Sequence, residues 1–258
     1  MTKNERQQTI ITLLEQKDFI GVVELSQRLN ASTMTIRRDL ERFEQAGIVR
    51  RVHGGAMLQK SETNIPLFLE RFERCKAEKD AIGKRALSLI SPESIVCFDA
   101  GTTTLSMTRH IPESLHFTVI TTGVRTAIEL SQWRNLDIIQ VGGSLDHATL
   151  TIYNTLSVEF IRYFHADIAF LSTRAIDSTQ GLFDHSLNLV EEKRALASIA
   201  KKVVVLADYT KFSKTSLCQS VPLMQIDTII TDNKVSNEHV KKLESAGVEV
   251  IVVDPDTL

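Results

Sequence analysis

Seven short runs rich in β-branched residues recur through the last two-thirds of this chain, each ending in a polar or glycine-containing turn. They are Ile95–Phe98, Phe117–Thr121, Leu136–Val141, Ile168–Leu171, Val203–Ala207, Thr228–Thr231 and Val248–Val253. Helical stretches fall among them near Leu105–His110, Val124–Gln132, Leu189–Lys201 and Asn237–Ala246. Buried strands alternating with helices predict an α/β domain with a mostly parallel sheet covered on both faces.

In such a domain, ligands bind where strands end and helices begin. Four of these ends carry suggestive residues. Asp99-Ala100-Gly101-Thr102-Thr103-Thr104 follows the first run and opens a helix. Its glycine permits close backbone approach, and its three threonines offer hydroxyls and amides at a helix N-terminus, a natural seat for phosphate. Thr121-Thr122-Gly123 and Val141-Gly142-Gly143 end the next two runs. Ala207-Asp208-Tyr209-Thr210-Lys211-Phe212 brings a carboxylate and an ammonium to the same edge, where Lys211 can neutralise charge that amides offset only in part.

The first 57 residues follow a different pattern. Ile10, Leu13 and Leu14 mark a helix from about Asn4 to Gln16, and Val22, Leu25 and Leu29 mark a second that Asn30 closes. Ser32 or Thr33 caps a third, whose Ile36, Leu40 and Phe43 share a buried face and which Gly47 ends. Thr33 and Arg37 then face outward, with Thr35 and Arg38 beside them. After Gly47, Ile48-Val49 and Arg50-Arg51-Val52-His53-Gly54-Gly55 read as a small basic hairpin. Three short helices and a basic hairpin predict a winged helix-turn-helix. Ser32, Thr33, Thr35, Arg37 and Arg38 would meet bases and phosphates, and Arg50, Arg51 and His53 the DNA backbone.

Composition permits this reading without arguing for it. The net charge of −2 divides into +2 over residues 1–57 and −4 over the rest, so positive charge is concentrated in the small N-terminal region. No apolar run approaches the roughly 20 residues that span a bilayer. Cys75, Cys97 and Cys218 lack metal-type spacing and read as reduced thiols of a cytoplasmic protein. Between the two regions, Gln59–Asn64 is polar, Pro66 follows, and a helical patch spans Leu69–Cys75. The expected organisation is a DNA-binding domain over 1–57, a linker over 58–78 and a sensing and oligomerisation domain over 79–258.

The chain resembles the DeoR family of bacterial transcription regulators. Arg6, Ile10, Leu14, Ser32 and Thr35-Ile36-Arg37-Arg38-Asp39-Leu40, with the Arg51-Val52-His53-Gly54-Gly55-Ala56 wing, match its N-terminal signature. Asp39 is read as orienting a neighbouring arginine or as a helix-stabilising partner. The resemblance continues through Asp99–Thr104, Gly142-Gly143, Ala166–Leu171 and Leu206–Phe212. It implies a sensor domain similar to ribose-5-phosphate isomerases and CoA transferases. It also implies a phosphorylated sugar as effector, held by Asp99, Gly101, Thr102, Thr103, Thr104, Thr122, Gly142, Gly143, Asp208 and Lys211. Four places depart from the family pattern: Thr122 where Asn is common, Asp146 where Arg is frequent, Ser172-Thr173-Arg174-Ala175 in place of a glycine-rich turn, and Tyr153-Asn154 in place of a small residue and glycine. Arg174 is expected to restore positive charge from another wall.

The expected function is therefore sequence-specific binding of double-stranded operator DNA, as a repressor of a sugar-metabolism operon. No catalytic residue, metal or cofactor is assigned, and a homodimer or homotetramer suits paired half-sites. A ligand-blind sensor is the second reading. An isomerase-like enzyme is the third, with Asp99, Asp167 and Asp208 as candidate bases.

Overall fold

The computed structural model describes residues 3–257 apart from 18, 46–48, 53, 59–67 and 213–215. The chain divides into two compact units, Met1–Arg74 and Cys75–Leu258. In the first run α1 (Lys3–Gln16), β1 (Ile20–Gly21), α2 (Val22–Arg28), α3 (Thr33–Gln45), β2 (Val49–Val52), β3 (Gly55–Leu58) and α4 (Phe68–Glu73). Helical spacing brings Ile10 and Leu14, Leu25 and Leu29, and Ile36, Leu40 and Phe43 into one core, closed by Val49 and Ala56 of the hairpin. Asn30 takes a left-handed conformation (φ 46°) just after α2, ending that helix. The third helix begins as the sequence allows, and of its two possible caps the fold uses Ser32, whose Oγ accepts from the Thr35 amide at 3.2 Å. Its expected terminator, Gly47, lies outside the described residues.

The wing is an antiparallel pair with Val52 opposite Gly55. Strand β1 was not foreseen: Ile20 and Gly21 pair with Ala56 and Gly55, making a three-stranded sheet. A Cβ at Gly55 would sit 2.3 Å from the Ile20 carbonyl oxygen, so β1 lies there because residue 55 has no side chain. The helical patch expected at Leu69–Cys75 is α4, and the left-handed Cys75 (φ 49°) lies two residues past its end.

The second unit runs α5 (Lys76–Leu87), β4 (Ile95–Phe98), α6 (Thr102–Met107), β5 (Phe117–Thr121), α7 (Val124–Leu130) and β6 (Leu136–Gln140). It continues with β7 (Ser144–Asp146), β8 (Thr151–Tyr153), α8 (Thr155–Ile161), β9 (Ala166–Leu171), β10 (Ala175–Asp177), β11 (Gly181–Asp184) and α9 (Leu187–Ser198). Last come β12 (Ala200–Leu206), β13 (Cys218–Pro222), β14 (Thr228–Asp232), α10 (Asn237–Ser245) and β15 (Glu249–Val253). The seven β-branched runs are the seven strands of one sheet, ordered β15-β14-β12-β9-β4-β5-β6. Every neighbouring pair in it is parallel.

Alternation along those strands feeds two cores. Cys97, Ile120, Ala169, Leu171, Val203 and Val205 pack on one face with Ile161 of α8, Ala195 and Leu196 of α9 and Leu243 of α10. Val96, Phe98, Val119, Phe170, Val204 and Leu206 pack on the other with Ile82 and Ala86 of α5, Met107 of α6 and Leu130 of α7. The rings of Phe98 and Phe170 meet edge to face at 5.7 Å. Missing from the sequence reading were α5, α8, the β7–β8 hairpin and the antiparallel β10-β11-β13 sheet. The α5 sequence looks solvated because charged residues dominate it, yet Glu78 and Lys79 are themselves buried with Ile82 and Ala86.

Candidate functional site

Helix α3 divides cleanly by face. Ile36, Asp39, Leu40 and Phe43 are buried, while Thr33, Met34, Arg37 and Arg38 at its N-terminal end are exposed. Ser32 and Thr35 are engaged in the cap, their hydroxyl oxygens 2.9 Å apart. Asp39 is only 2 % exposed and reaches across to α1: its Oδ2 accepts from Arg6 Nε at 2.8 Å and its Oδ1 from Gln7 Nε2 at 2.7 Å. The arginine it orients is therefore Arg6. Arg37 and Arg38, its neighbours in sequence, remain on the outward face.

The wing splits its two arginines. Side chains alternate across a strand, so Arg50 and Arg51 leave β2 on opposite faces. Arg51 is tied back to the end of α3, its amide donating to Glu44 Oε1 at 3.2 Å and its Nη1 lying 3.7 Å from Glu44 Oε2. Arg50 is exposed. His53, the third wing candidate, lies outside the described residues. Exposed Met34 was absent from the sequence candidates because an apolar residue carries no polar signal for nucleic acid.

In the second unit the chain leaves β4 toward β5 and β6, then returns to lay β9 on the other side of β4. That reversal is a topological switch point, where the loops following adjacent strands diverge and open a crevice. Asp99 and Ser172 follow the two flanking strands and bridge the gap. Asp99 Oδ2 accepts from the Ser172 amide at 2.7 Å and its hydroxyl at 2.9 Å. Oδ1 accepts from the Gly101 amide at 2.9 Å and Thr104 Oγ1 at 2.6 Å. A Cβ on Gly101 would fall 1.5 Å from Ser172 Oγ, so Gly101 leaves the space that Ser172 fills.

This geometry corrects the expected role of the Thr104 hydroxyl. Thr102, Thr103 and Thr104 are all buried, and the Thr104 hydroxyl turns inward to Asp99, whose own oxygens are taken up by the turn and by Ser172. What the turn still offers is backbone. Leu105 N–H reaches back to the Gly101 carbonyl at 2.9 Å, and the amides of Thr102–Thr104 before it precede the intrahelical ladder. Thr122 is likewise turned inward, fully buried with its hydroxyl on Glu192 Oε1.

Glu192 and Lys193 were missed. They stand in a Glu-Glu-Lys-Arg tract that reads as a solvated helix surface, yet both are buried, with Glu192 against Thr122 just past the end of β5. Burial pushes the Glu192 carboxyl up to about 8, aided by the negative charges of Asp99 and Asp184 and opposed by Thr122 and Lys193. Lys193 Nζ donates to Asp184 Oδ2 at 2.7 Å, and Ser220 Oγ donates to the same oxygen at 2.7 Å. Burial acts against the Lys193 charge, but the carboxylates of Asp184, Asp99 and Glu192 outweigh it and raise its pKa above the ordinary lysine value.

The other expected residues fall at neighbouring strand ends. Gly142 and Gly143 follow β6, where Ser157 Oγ donates to the Gly142 carbonyl at 2.7 Å. A Cβ at Gly143 would lie 2.1 Å from Ser157 Oγ, so this glycine serves the seating of α8. Gly142 is open. Asp208 Oδ1 accepts from the Thr210 amide at 3.0 Å, capping the single turn Tyr209–Lys211, with Lys211 Nζ 3.7 Å from Oδ2. Burial raises the Asp208 pKa, but Lys211, the Thr210 hydroxyl and Lys79 together hold it below the ordinary carboxylate value. Arg174 is half-buried after β9 and forms no ion pair among the described residues. Asp167 belongs elsewhere. It sits at the opposite, amino end of β9, paired with Lys201 at 2.8 Å and accepting from the Ile95 amide at 2.9 Å. It cannot serve as a base in the crevice.

Among the described residues no helix is long and apolar enough to cross a membrane. Comparison with known proteins matches residues 6–62 to the DeoR-like helix-turn-helix domain and residues 74–233 to the DeoR C terminal sensor domain. The HTH-type transcriptional regulator GolR of Listeria innocua is 38% identical over 250 residues, covering 97% of this chain and 98% of its own. The HTH-type transcriptional repressor GlcR of Bacillus subtilis is 30% identical over 261 residues, covering 99% and 98%. A ribose 5-phosphate isomerase of Methanocaldococcus jannaschii superposes with a TM-score of 0.40 at 18% identity, over 53% of this chain and 54% of that one. That structural likeness is too small to bear on function. A sensor domain joined to a helix-turn-helix, with relatives matched over nearly their whole length, identifies the chain as a DNA-binding transcriptional regulator of the DeoR family.

Proposed function

We propose that this protein represses a carbohydrate-metabolism operon in the cytoplasm and that a phosphorylated sugar adjusts its hold on operator DNA. The observation that carries the reading is the pair of anion-seeking features flanking the switch point. The amides of Thr102–Thr104 stand at the head of α6 after β4, and half-buried Arg174, without an ion pair among the described residues, follows β9. Asp99 and Ser172 hold the two loops together. Gly142 lies open at the next strand end but one, and Lys211 supplies a further cation at the end of β12. GlcR, one of the relatives, is named a repressor. The ligand acts by binding one arrangement of the regulator better than another, and a dimer or tetramer reads paired half-sites.

The internally spent hydroxyls of Thr104 and Thr122 favour a second reading, a sensor that binds no ligand and serves assembly alone. One experiment separates them. The full chain is heated in the presence of phosphorylated pentoses, hexoses and ketoses, and DNA affinity for its own upstream region is measured with each. Under the first reading one of these compounds raises the melting temperature and changes the affinity, because it binds the folded state alone. If none does either, the effector reading is wrong and the second stands. An isomerase reading would require turnover of ribose 5-phosphate, with Asp99 or Asp208 as base; both are engaged in holding their own loops.

A further inference from the structure

Helix α3 gives its most outward position to an apolar side chain. Ile36, Asp39, Leu40 and Phe43 define the buried direction. With about 100° between successive residues of an α-helix, Met34 points directly away from it. Met34 is 65% exposed, and Arg37 and Arg38, three and four residues on, flank its line on either side. Exposed Glu41 continues that line two turns from Met34, and its charge opposes phosphate. The part of the helix suited to DNA is thus its first turn and a half. A single exposed methionine is ordinary on a protein surface. This one stands one turn before two outward arginines, on the element of a helix-turn-helix that lies in the major groove.

Each base pair displays polar groups in that groove, and the one large apolar group there is the 5-methyl of thymine. A thioether on an unbranched, rotatable stem adapts its shape to such a contact. We infer that Met34 seats a thymine methyl group and so discriminates thymine from cytosine at one position of each half-site, with Arg37 and Arg38 engaging the neighbouring edges and phosphates. The inference rests on the DNA-binding function of the helix and adds the chemical group it recognises.

The test uses the full chain and the duplex it selects from a randomised library. Each thymine of that duplex is replaced in turn by deoxyuridine, which removes the methyl and leaves base pairing and the O4 acceptor unchanged. At one thymine per half-site, the dissociation constant is expected to rise about threefold to tenfold, the scale of burying a single methyl group. In Met34→Ala the same replacement is expected to have no effect, while Met34→Leu retains the dependence. Met34 is exposed, so its replacement leaves the core of the unit intact. Absence of any methyl-dependent thymine, or a dependence undiminished in Met34→Ala, would overturn the inference. Failure to select any duplex would instead overturn sequence-specific binding itself.

The sensor unit carries an independent surface. Helix α8 buries Ser157 and Ile161 inward, but its outer side presents Leu156 (70% exposed) and Phe160 (38%). The helical turn that follows adds Tyr163 (83%). Exposed Glu159 of α8 and exposed Arg162, the residue that caps it, are opposite charges three residues apart beside the stripe. Such a strip is self-complementary: two copies related by a two-fold axis, helices antiparallel, bring apolar faces together and set Glu159 of each against Arg162 of the other. The geometry points to a second copy of this chain as the occupant of the α8 face. Sedimentation of the full chain tests it. Glu159→Arg and Arg162→Glu are each expected to weaken self-association about tenfold, and their combination to restore it. A monomeric parent chain, unaffected single variants or an unrestored double variant would each overturn the assignment.

Discussion

Glu192 is the residue whose proton the fold controls most visibly. Its carboxyl ionises near the ordinary 4.5 in the unfolded chain and at about 8 in the folded one, chiefly because burial penalises the charge. The folded state therefore holds a proton that the unfolded state releases over this interval. The corresponding stability is fully present below 4.5 and is lost as pH rises toward 8. Glu192→Gln keeps the shape and removes the titration. Unfolding measured against pH is expected to show the two proteins alike at pH 5 and the variant more stable at pH 9, by about 1–4 kcal/mol. Parallel curves would show that Glu192 is not the group responsible. Asp39 is a buried side chain whose two oxygens accept from Arg6 and Gln7. Asp39→Ala strands Arg6 at 15% side-chain exposure. It is expected to destabilise the first unit by about 1–3 kcal/mol, read as faster hydrogen exchange in α1 and α3.

At the scale of elements, α8 shows how a local departure from family pattern is accommodated. Asn154 holds φ 149° and ψ −178°, a region that only glycine enters freely, at a cost of about 1–3 kcal/mol for other residues. Its side chain recovers part of that by accepting from the Ser157 amide at 2.9 Å and donating to Ser144 Oγ at 3.3 Å. A glycine at an N-cap forfeits only a few tenths of a kcal/mol. Asn154→Gly is thus expected to stabilise the sensor unit by about 1 kcal/mol, measured by chemical unfolding; a loss of stability would mean the hydrogen bonds outweigh the strain. That Asn154 departs from the family the chain resembles was legible in the sequence, but the strain it carries was not, because φ is set by the tertiary packing that seats Ser157 against Gly143 and the Asn154 amide on Ser144. The buried face of α3, by contrast, was legible in full, since Ile36, Leu40 and Phe43 repeat at the helical period and nothing in the tertiary fold overrides them.

At the scale of the whole molecule, a reading unit and a sensing unit share one chain, and their roles are separable by mutation. Arg174→Ala removes a cation proposed for the effector site and leaves the sequence of α3 unchanged. It is expected to leave DNA affinity in the absence of sugar unchanged and to reduce the response to a stabilising sugar phosphate about tenfold or more, read by titrating the protein–DNA complex with that compound. An unaltered response would remove Arg174 from the site. The sequence alone determined the large-scale plan: seven strands, their parallel arrangement, the three-helix reader and the carboxyl edge at which loops gather. Those features follow from the periodicity of apolar residues, a one-dimensional record of burial. Only the tertiary structure decided which polar groups face the crevice. Thr104, Thr122 and Asp99 look open in sequence and are turned inward, while Glu192 and Lys193 look solvated and are buried. A polar side chain hydrogen-bonds equally well to water or to a distant partner, so its direction is fixed by whichever partner folding brings within reach.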